Sequence, residues 1–273
     1  MKKIKFTKMQ GAGNDFVVME VLKTNFKKLA IKVCNRKTGV GADGLLVLDK
    51  SKKADYRMRI INADGSEAEM CGNGARCMAA FIVQNRRPKK TLFSIETMSG
   101  NLLAQAKGQV AKVRLSEPQG YKPNIPIKIG KRTIQVNYID TGVPHAIIFV
   151  SDLAKIDVSG IGRFIRFHNK FKPRGTNVDF VEQVKQNLVN VRTYERGVED
   201  ETLACGTGSV ACAIITFLKA NPLILSRDHV SMNVRTSGGE LLNIQFSLKN
   251  RKIENVWLKG PVQFIAKGEY HVK

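Results

Sequence analysis

Two segments of the chain are apolar on nearly every face, and they occupy corresponding places in its two halves. They are residues 75–83 and 209–218, and each is followed within five residues by a proline, Pro88 or Pro222. A helix that is hydrophobic all round must be buried on all sides. Short apolar runs around them predict strands at residues 16–19, 45–48 and 56–61, and at 146–150, 178–181 and 188–194. The pattern therefore predicts, twice, a sheet wrapped around one central helix.

Two further segments, residues 26–34 and 161–168, predict a modest helix in each half. Strands dominate the remainder. The fold class predicted from the pattern is α+β, with two pseudo-symmetric domains, each a mostly antiparallel or mixed β-sheet around a central buried α-helix.

The two halves also match residue by residue at an offset of 134. Leu46-Val47 then aligns with Phe180-Val181, and the four residues Glu67, Cys71, Gly72 and Gly74 align with Glu201, Cys205, Gly206 and Gly208. Later matches drift to offsets of 139 and 143 as loops change length. A collinear series of this length indicates a duplicated domain and not a short-repeat solenoid.

A cluster of prolines at positions 118, 123 and 126, together with Gly120, predicts the boundary between the two domains. The second copy ends near Pro261, and we expect the last residues to return to the first domain as a strand. The predicted domains are residues 1–117 with 263–273, which contain Cys71, and residues 118–262, which contain Cys205.

The composition of the chain bears on where the protein is found in the cell and on the state of its cysteines. No apolar stretch approaches the length needed to span a bilayer, and polar residues 10–15 interrupt the start of the chain before a signal-peptide core could form. We therefore predict a cytoplasmic protein. Its five cysteines are an odd number with no Cys-x-x-Cys pair, and only four histidines are present, so we predict free thiols and no metal site.

The chain has 45 basic and 23 acidic residues, a formal net charge of +22. A nucleic acid or another anionic surface is one interpretation of this excess. The basic residues are scattered, however, and no nucleic-acid motif is visible, so we favour a lysine-rich solvated surface. An anionic substrate would also benefit from the positive field.

Each Cys-Gly-x-Gly segment stands where its central helix is predicted to begin. A helix N-terminus favours anions, and it can lower the pKa of a cysteine placed there. Two such thiols on opposite sides of an α-carbon would invert it, one acting as base and the other as acid, without a pyridoxal or other cofactor. Packing or a redox disulfide are the alternatives for Cys71 and Cys205. The other three cysteines, Cys34, Cys77 and Cys212, are predicted to be structural.

These residues resemble those of diaminopimelate epimerases. The similar segments are residues 62–76, with the sequence NADGSEAEMCGNGAR, and the shorter stretches 11–16, 175–180, 194–197 and 204–208. The resemblance spans the whole chain. Proline racemases and phenazine-type isomerases share the architecture but differ around the cysteines.

The resemblance implies cofactor-independent interconversion of LL- and meso-diaminopimelate for lysine and peptidoglycan precursor synthesis, by a homodimer with no membrane partner. It implies that Cys71 and Cys205 are the acid and base and that His145 and Glu195 tune their pKa values. The implied substrate-binding residues are Asn14, Asn62, Gly72, Asn73, Asn177, Glu195, Arg196, Gly206 and Thr207.

Two positions depart from a common pattern of that family. Val143 stands where asparagine often precedes Pro-His, and Gly44 stands where some members have glutamine. Both changes concern the predicted substrate range. Racemisation of another amino acid is the alternative enzyme activity, and nucleic-acid binding on the same fold is the alternative from a different class.

Overall fold

The structure is a computed structural model that describes residues 2–20 and 24–272. It divides into an N-terminal unit, Met1–Arg114 with Lys259–Lys273, and a C-terminal unit, Leu115–Leu258. The elements up to residue 114 are β1 (Lys2–Gly11), β2 (Asn14–Glu20), α1 (Phe26–Val33), β3 (Gly44–Asp49), β4 (Tyr56–Asn62), β5 (Glu67–Ala68), α2 (Gly72–Arg86), β6 (Phe93–Thr97), β7 (Gly100–Lys107) and β8 (Val110–Arg114).

The later elements are β9 (Gln119–Ile129), β10 (Arg132–Asp140), β11 (Pro144–Phe149), α3 (Val158–Arg166), β12 (Asn177–Lys185), β13 (Leu188–Glu195), β14 (Asp200–Thr202), α4 (Gly206–Ala220), β15 (Arg227–Arg235), β16 (Leu241–Lys249), β17 (Lys252–Pro261) and β18 (Gln263–Val272). Two short 3₁₀ turns, Leu153–Lys155 and Asn169–Phe171, flank α3. All four predicted helices and all six predicted strands are confirmed within a few residues of their bounds.

The N-terminal unit is a mixed sheet. Strand β1 pairs antiparallel with both β18 and β2, and β2 pairs parallel with β3. Next, β4 is antiparallel to β3 and β5 and parallel to β6, and β7 joins β6 and β8 in antiparallel pairs. Parallel neighbours need a crossover connection. Helix α1 supplies it between β2 and β3, and α2 supplies it between β4 and β6.

The C-terminal unit repeats this order of pairings. Strand β10 is antiparallel to β9 and β11, β11 is parallel to β12, and β13 is antiparallel to β12 and β14. Strand β13 is then parallel to β15, which is antiparallel to β16. The crossovers are α3 and α4, so each element has its counterpart in the N-terminal unit. The duplication inferred from sequence is therefore a duplication of topology.

Strands surround the central helix of each unit. Helix α2 packs against β1, β2, β3, β4, β7 and β8, and α4 packs against β10, β11, β12, β13, β15 and β16. Every residue of α2 from Asn73 to Ile82 is buried, as is every residue of α4 from Gly208 to Thr216. This confirms the predicted α+β arrangement, although α2 also buries a charged side chain, Arg76, completely.

Helices α1 and α3 cover the opposite face of each sheet with one apolar side. Leu29, Ala30 and Val33 of α1 join one core cluster, and Val158 and Ile165 of α3 join another. Among the described residues no helix is long and apolar enough to cross a membrane.

The strands correct the alignment of the two halves by one residue. Phe16 of β2 pairs with Gly44 of β3, as His145 of β11 pairs with Asn177 of β12. Two residues further along, on the same face, are Leu46 and Asp179. The offset is therefore 133 within these strands, and the alignment of Leu46-Val47 with Phe180-Val181 was wrong. Loops that differ in length flank the strands, and hydrogen-bonded register decides which residues correspond.

Candidate active site

Both cysteines of the repeated motif are N-cap residues, which confirms their predicted place at the helix starts. Cys71 has extended φ and ψ angles of −147° and 115° and caps α2, and Cys205, at −112° and 115°, caps α4. The first-turn N–H groups of a helix lack helical acceptors and carry partial positive charge. Each cysteine sulfur therefore lies at the positive end of a buried helix.

The two caps differ in their immediate contacts. Cys71 Sγ is half-buried and accepts a hydrogen bond from the Gly74 N–H at 3.4 Å. Cys205 is 7% exposed, and its Sγ lies 3.4 Å from Thr207 Oγ1. A thiol in contact with a hydroxyl has a partner through which a proton can move.

The expected lowering of the cysteine pKa is wrong for Cys205. Burial raises the pKa of this thiol well above its ordinary value, and the negative charges of Glu195 and Asp179 raise it further. The hydrogen bond with Thr207 opposes these effects only in part. Cys205 is therefore held as a neutral thiol, because desolvation and nearby carboxylates outweigh the helix N-terminus.

Glu195 is the carboxylate with the larger effect on Cys205. It ends β13 and accepts a hydrogen bond from Thr202 Oγ1 at 3.0 Å. Burial raises the pKa of Glu195, while the Thr202 hydrogen bond lowers it less. A carboxylate with a raised pKa is suited to exchanging a proton near neutral pH.

A fully buried pair lies beside the start of α4. His145 Nδ1 is 2.7 Å from Asp179 Oδ2, and both side chains are 0% exposed. On the other edge of the ring, His145 Nε2 is 3.0 Å from Thr207 Oγ1. Hydrogen-bonding contacts thus connect Asp179 to His145, His145 to Thr207, and Thr207 to Cys205.

Gly208 permits this close approach. A Cβ at this position would collide with Asp179 Oδ1 and would lie 3.2 Å from both the Cys205 Cβ and His145 Cε1. The second glycine of the motif is therefore required for space, since its backbone dihedrals are helical.

Asn177 and Arg196 are also brought together. Asn177 is 3% exposed, and its Oδ1 accepts a 2.7 Å hydrogen bond from the Arg196 N–H. The guanidinium of Arg196 donates to the Arg174 carbonyl at 3.1 Å. Of the residues predicted in this unit, Cys205, Thr207, His145 and Asn177 form one connected group, and Arg196 joins it through Asn177.

In the N-terminal unit Asn14 and Asn73 are connected. Asn73 is 3% exposed, and its Nδ2 donates to Asn14 Oδ1 at 3.2 Å. Asn14 Nδ2 donates in turn to Asp43 Oδ2 at 2.9 Å. Asn62 is exposed at the end of β4 and donates to Ser66 Oγ, so it is not part of this group.

A network of ion pairs adjoins the two asparagines, Asn14 and Asn73. Arg36 makes two hydrogen bonds with Asp15, at 2.8 and 3.0 Å, and a third with Asp43 at 2.8 Å. Lys8 donates to Asp15 at 2.6 Å. Although burial raises the pKa of Asp15, the hydrogen bonds from Arg36 and Lys8 lower it far below its ordinary value. Asp15 is therefore anionic at neutral pH, and Asp43 accepts the hydrogen bond that orients the amide of Asn14.

Sequence reasoning missed Asp179 and Asp43. Asp179 stands two residues after Asn177 and between the apolar residues Val178 and Phe180, so Asn177 and Asp179 share a face of the sheet. A charged residue in such a position was an available signal. Asp43 carried no comparable signal, because it lies in an exposed loop just before β3.

The remaining predicted positions are glycines at helix starts, and one of the two departures from the family pattern, Gly44, lies within a strand. Gly72 and Gly206 are the first residues of α2 and α4. Gly44 is buried in β3, where a Cβ would lie 3.0 Å from the Ile61 carbonyl. The predicted structural cysteines Cys34, Cys77 and Cys212 are all buried. Burial raises the pKa of Cys34 to about 12.

Comparison with known proteins gives the family. A model of the diaminopimelate epimerase family matches residues 6–119 and 137–265, which is most of the chain. The chain belongs to the diaminopimelate epimerase family. A member from Aquifex aeolicus is 41% identical over 280 residues, covering 97% of each chain, and one from Methanocella arvoryzae is 41% identical and covers 100% of this chain and 98% of its own.

Solved structures extend the fold beyond the diaminopimelate epimerases. A PhzF-family phenazine biosynthesis protein from Bacillus anthracis has a TM-score of 0.76 at 18% identity, with both chains covered completely. A probable proline racemase from Agrobacterium radiobacter has a TM-score of 0.73 at 12% identity, covering 99% of this chain and 93% of its own. At such identities the likeness shows the fold alone, and it confirms the predicted architecture shared with these two groups.

Proposed function

We propose that this protein interconverts LL-2,6-diaminopimelate and meso-diaminopimelate without a cofactor, using Cys71 and Cys205 as its two proton-transferring groups. The observation that carries the proposal is the pair of cysteines that cap equivalent buried helices in both units. Family membership supplies the substrate class, since relatives at 41% identity bear the name diaminopimelate epimerase.

The chemistry needs a base on one face of the α-carbon and an acid on the other. One thiolate removes the α-proton, and the opposite thiol delivers a proton to the carbanion. The helix N-termini behind the two sulfurs offer N–H groups that stabilise negative charge on the substrate carboxylate. Each thiol exchanges roles with the other when the reaction runs in reverse.

The neutral Cys205 thiol indicates which group starts as acid. Because burial and the carboxylates of Glu195 and Asp179 raise its pKa, Cys205 holds its proton in the free enzyme. We therefore assign Cys205 as the resting acid and Cys71 as the base of the complementary half-reaction. Glu195, whose own pKa is raised by burial, is the group that adjusts this balance.

The substrate-binding roles rest on the polar groups around the two caps. Asn73 Oδ1 is buried and has no hydrogen-bond donor within the described part of the chain, which makes it a candidate acceptor for a substrate ammonium. Arg196 suits a carboxylate because its guanidinium can form two parallel hydrogen bonds. We assign Asn14, Asn62, Gly72, Asn177, Gly206 and Thr207 to the same task.

Single-cysteine variants test the mechanism. Cys71→Ala and Cys205→Ala should each lower the rate of epimerisation by at least about a thousandfold, since each removes one obligatory proton transfer. In deuterated water the thiol that remains can still exchange the α-proton on its own face. We expect each variant to retain slow exchange with one stereoisomer, LL for one variant and meso for the other.

Cys212→Ala is the matched control, because Cys212 lies fully buried in the same helix that Cys205 caps. Its epimerisation rate should stay within about threefold of wild type. Wild-type rates in either catalytic-cysteine variant would refute the two-thiol mechanism. Inactivity of the wild type on diaminopimelate, with α-proton exchange in another amino acid, would refute the substrate and favour the alternative racemase.

We further propose that the protein works in the cytoplasm as a homodimer, in the synthesis of lysine and of peptidoglycan precursors. The names of its relatives support the pathway, and the resemblance of the sequence to the family supports the dimer. Analytical ultracentrifugation at micromolar concentration tests the dimer, and a single 30 kDa species would contradict it.

A further inference from the structure

The orientation of Asn177 is fixed by a backbone group. A backbone N–H can only donate, so the atom of Asn177 that lies 2.7 Å from the Arg196 N–H must be the acceptor Oδ1. The other end of the amide is then Nδ2, which donates to the Pro144 carbonyl at 3.3 Å and lies 3.4 Å from His145 Nε2. The Asn177 amide group therefore faces His145 Nε2 as a hydrogen-bond donor.

The Asn177 contact sets the tautomer of His145. In a neutral imidazole one nitrogen donates and the other accepts, and the hydrogen bond made by one nitrogen decides the role of the other. With a donor facing Nε2, the proton belongs on Nδ1. Asp179 agrees with this, because its carboxylate Oδ2 lies 2.7 Å from Nδ1 and an ionised carboxylate can only accept.

Asp179 is itself held in place. Its second oxygen, Oδ1, accepts a 2.7 Å hydrogen bond from Thr193 Oγ1, the residue opposite it on β13. The missing side chain of Gly208 leaves room for the same oxygen against α4. The carboxylate therefore has little freedom to rotate away from the imidazole.

The direction of the remaining hydrogen bonds follows. Since Nε2 is an acceptor, the Thr207 hydroxyl donates to it across 3.0 Å. The lone pairs of Thr207 Oγ1 are then left for Cys205 Sγ at 3.4 Å, so the S–H of Cys205 is the donor. Cys205 thus donates to Thr207, Thr207 donates to His145, and His145 donates to Asp179.

We propose that Asp179 is a positioning residue that holds His145 as its Nδ1–H tautomer, so that the proton of Cys205 has an acceptor at His145 Nε2, reached through Thr207. The proposal rests on the proposed function, in which Cys205 is the base when the reaction runs in reverse and must then start without its proton. The Cys205 proton moves to Thr207 Oγ1 as the hydroxyl proton moves to Nε2. The imidazolium formed keeps its Nδ1–H on Asp179, and no bond between heavy atoms changes.

The N-terminal unit shows that the fold itself does not need this pair. The residues at the corresponding positions of β2 and β3 are Phe16 and Leu46. Leu46 also lies against the equivalent glycine, with its Cδ2 3.2 Å from where a Cβ on Gly74 would be. An apolar pair therefore fills in one unit the space that His145 and Asp179 fill in the other.

The first test is spectroscopic and does not depend on any substrate. With only four histidines in the chain, long-range ¹H–¹⁵N correlation spectra of ¹⁵N-histidine-labelled protein can resolve each ring, and the His145→Gln variant assigns His145 by loss of its signals. We expect a protonated Nδ1, an unprotonated Nε2 and a far-downfield Nδ1–H proton. A proton on Nε2 in the wild type overturns the proposal.

The second test is kinetic. Asp179→Asn keeps the shape of the side chain and removes the charge that stabilises the imidazolium. We expect kcat for epimerisation to fall by at least about a hundredfold, the lower end of the range of about 10²–10⁴ that acid–base groups contribute. KM should change less than about threefold, and the Nδ1–H resonance should move upfield. An unchanged kcat overturns the proposal.

A double variant separates positioning from packing. Asp179→Leu combined with His145→Phe installs the residue pair of the N-terminal unit, and we expect a folded protein with slow epimerisation. Wild-type turnover in this variant would contradict the assignment of Asp179. If the wild type instead fails to act on diaminopimelate, the proposed function is lost, whereas the tautomer measurement still decides the role of Asp179.

Discussion

The two units share one order of strands and helices, yet they surround their capping cysteines differently. Beside Cys205 the sheet contributes His145 and Asp179, both completely buried. At the corresponding positions of the N-terminal unit it contributes Phe16 and Leu46. Duplication has therefore preserved the backbone and the helix cap, while the buried His145–Asp179 pair of the C-terminal unit is replaced by an apolar pair in the N-terminal unit.

The N-terminal unit has its own network of charged side chains, and these lie in a different place. There the ion pairs of Arg36 with Asp15 and Asp43 lie next to a pair of asparagines, Asn14 and Asn73. The N-terminal unit thus uses its ion pairs to fix amide groups suited to a substrate. The C-terminal unit uses buried acids to hold a proton on Cys205. The comparison predicts that equivalent changes in the two units have unequal effects.

The largest expected effect comes from removing the acid beside Cys205. Glu195→Gln should lower kcat by about 10²–10⁴, because the carboxylate that raises the pKa of Cys205 and so helps to keep its proton in place is lost. Stability should not fall with it. The folded-state pKa of Glu195 is raised, so its ionisation costs stability as pH rises through that pKa, and glutamine removes the cost. Thermal unfolding at pH 7.5 tests the expected stability of the variant, and a lower Tm together with lost activity would indicate misfolding.

A smaller effect should separate the two motif glycines. Gly208→Ala places a methyl group on the buried Asp179 carboxylate, whereas the closest atom to a methyl group at Gly74 is the flexible end of Leu46, at 3.2 Å. We expect Gly208→Ala to cost about 1–3 kcal/mol of unfolding free energy and Gly74→Ala less than about 1 kcal/mol, since alanine also favours the helix. Urea unfolding of the two variants measures the difference, and equal losses would contradict the comparison.

The smallest effect concerns thiol reactivity. Cys71 is half-buried, whereas Cys205 is 7% exposed and has a raised pKa. Since the thiolate is the reactive form, iodoacetamide at pH 7.5 should label Cys71 at least about tenfold faster than Cys205. Labelling of Cys205 should still increase above pH 9. Peptide mass spectrometry reads both rates, and faster labelling of Cys205 would reverse our assignment of the resting acid.

Much of the fold followed from the sequence because the signals were local or repeated. Residues 75–83 and 209–218 had no polar face, so their burial was forced, and the recurrence of Cys-Gly-x-Gly placed both cysteines at the helix starts. The strands were found from short apolar runs. Their exact correspondence was not, since the register of β3 and β12 depends on hydrogen bonds to neighbouring strands.

The protonation state of Cys205 could not be predicted in the same way. A helix N-terminus alone lowers a thiol pKa, and that local rule was the one available. Burial and the charges of Glu195 and Asp179 act through space, from strands that come near Cys205 only in the folded chain. Tertiary electrostatics therefore decides a property that the motif left open.

The pairing of β1 with β18 has a consequence for synthesis on the ribosome. Residues 2–10 lie opposite residues 263–272, so the N-terminal unit is completed by a segment that is translated after the whole C-terminal unit. The C-terminal unit has no such dependence, because β9 and β10 adjoin in sequence. A nascent chain can assemble its second half before its first, and until β18 has been made β1 presents an open edge to which other chains could attach.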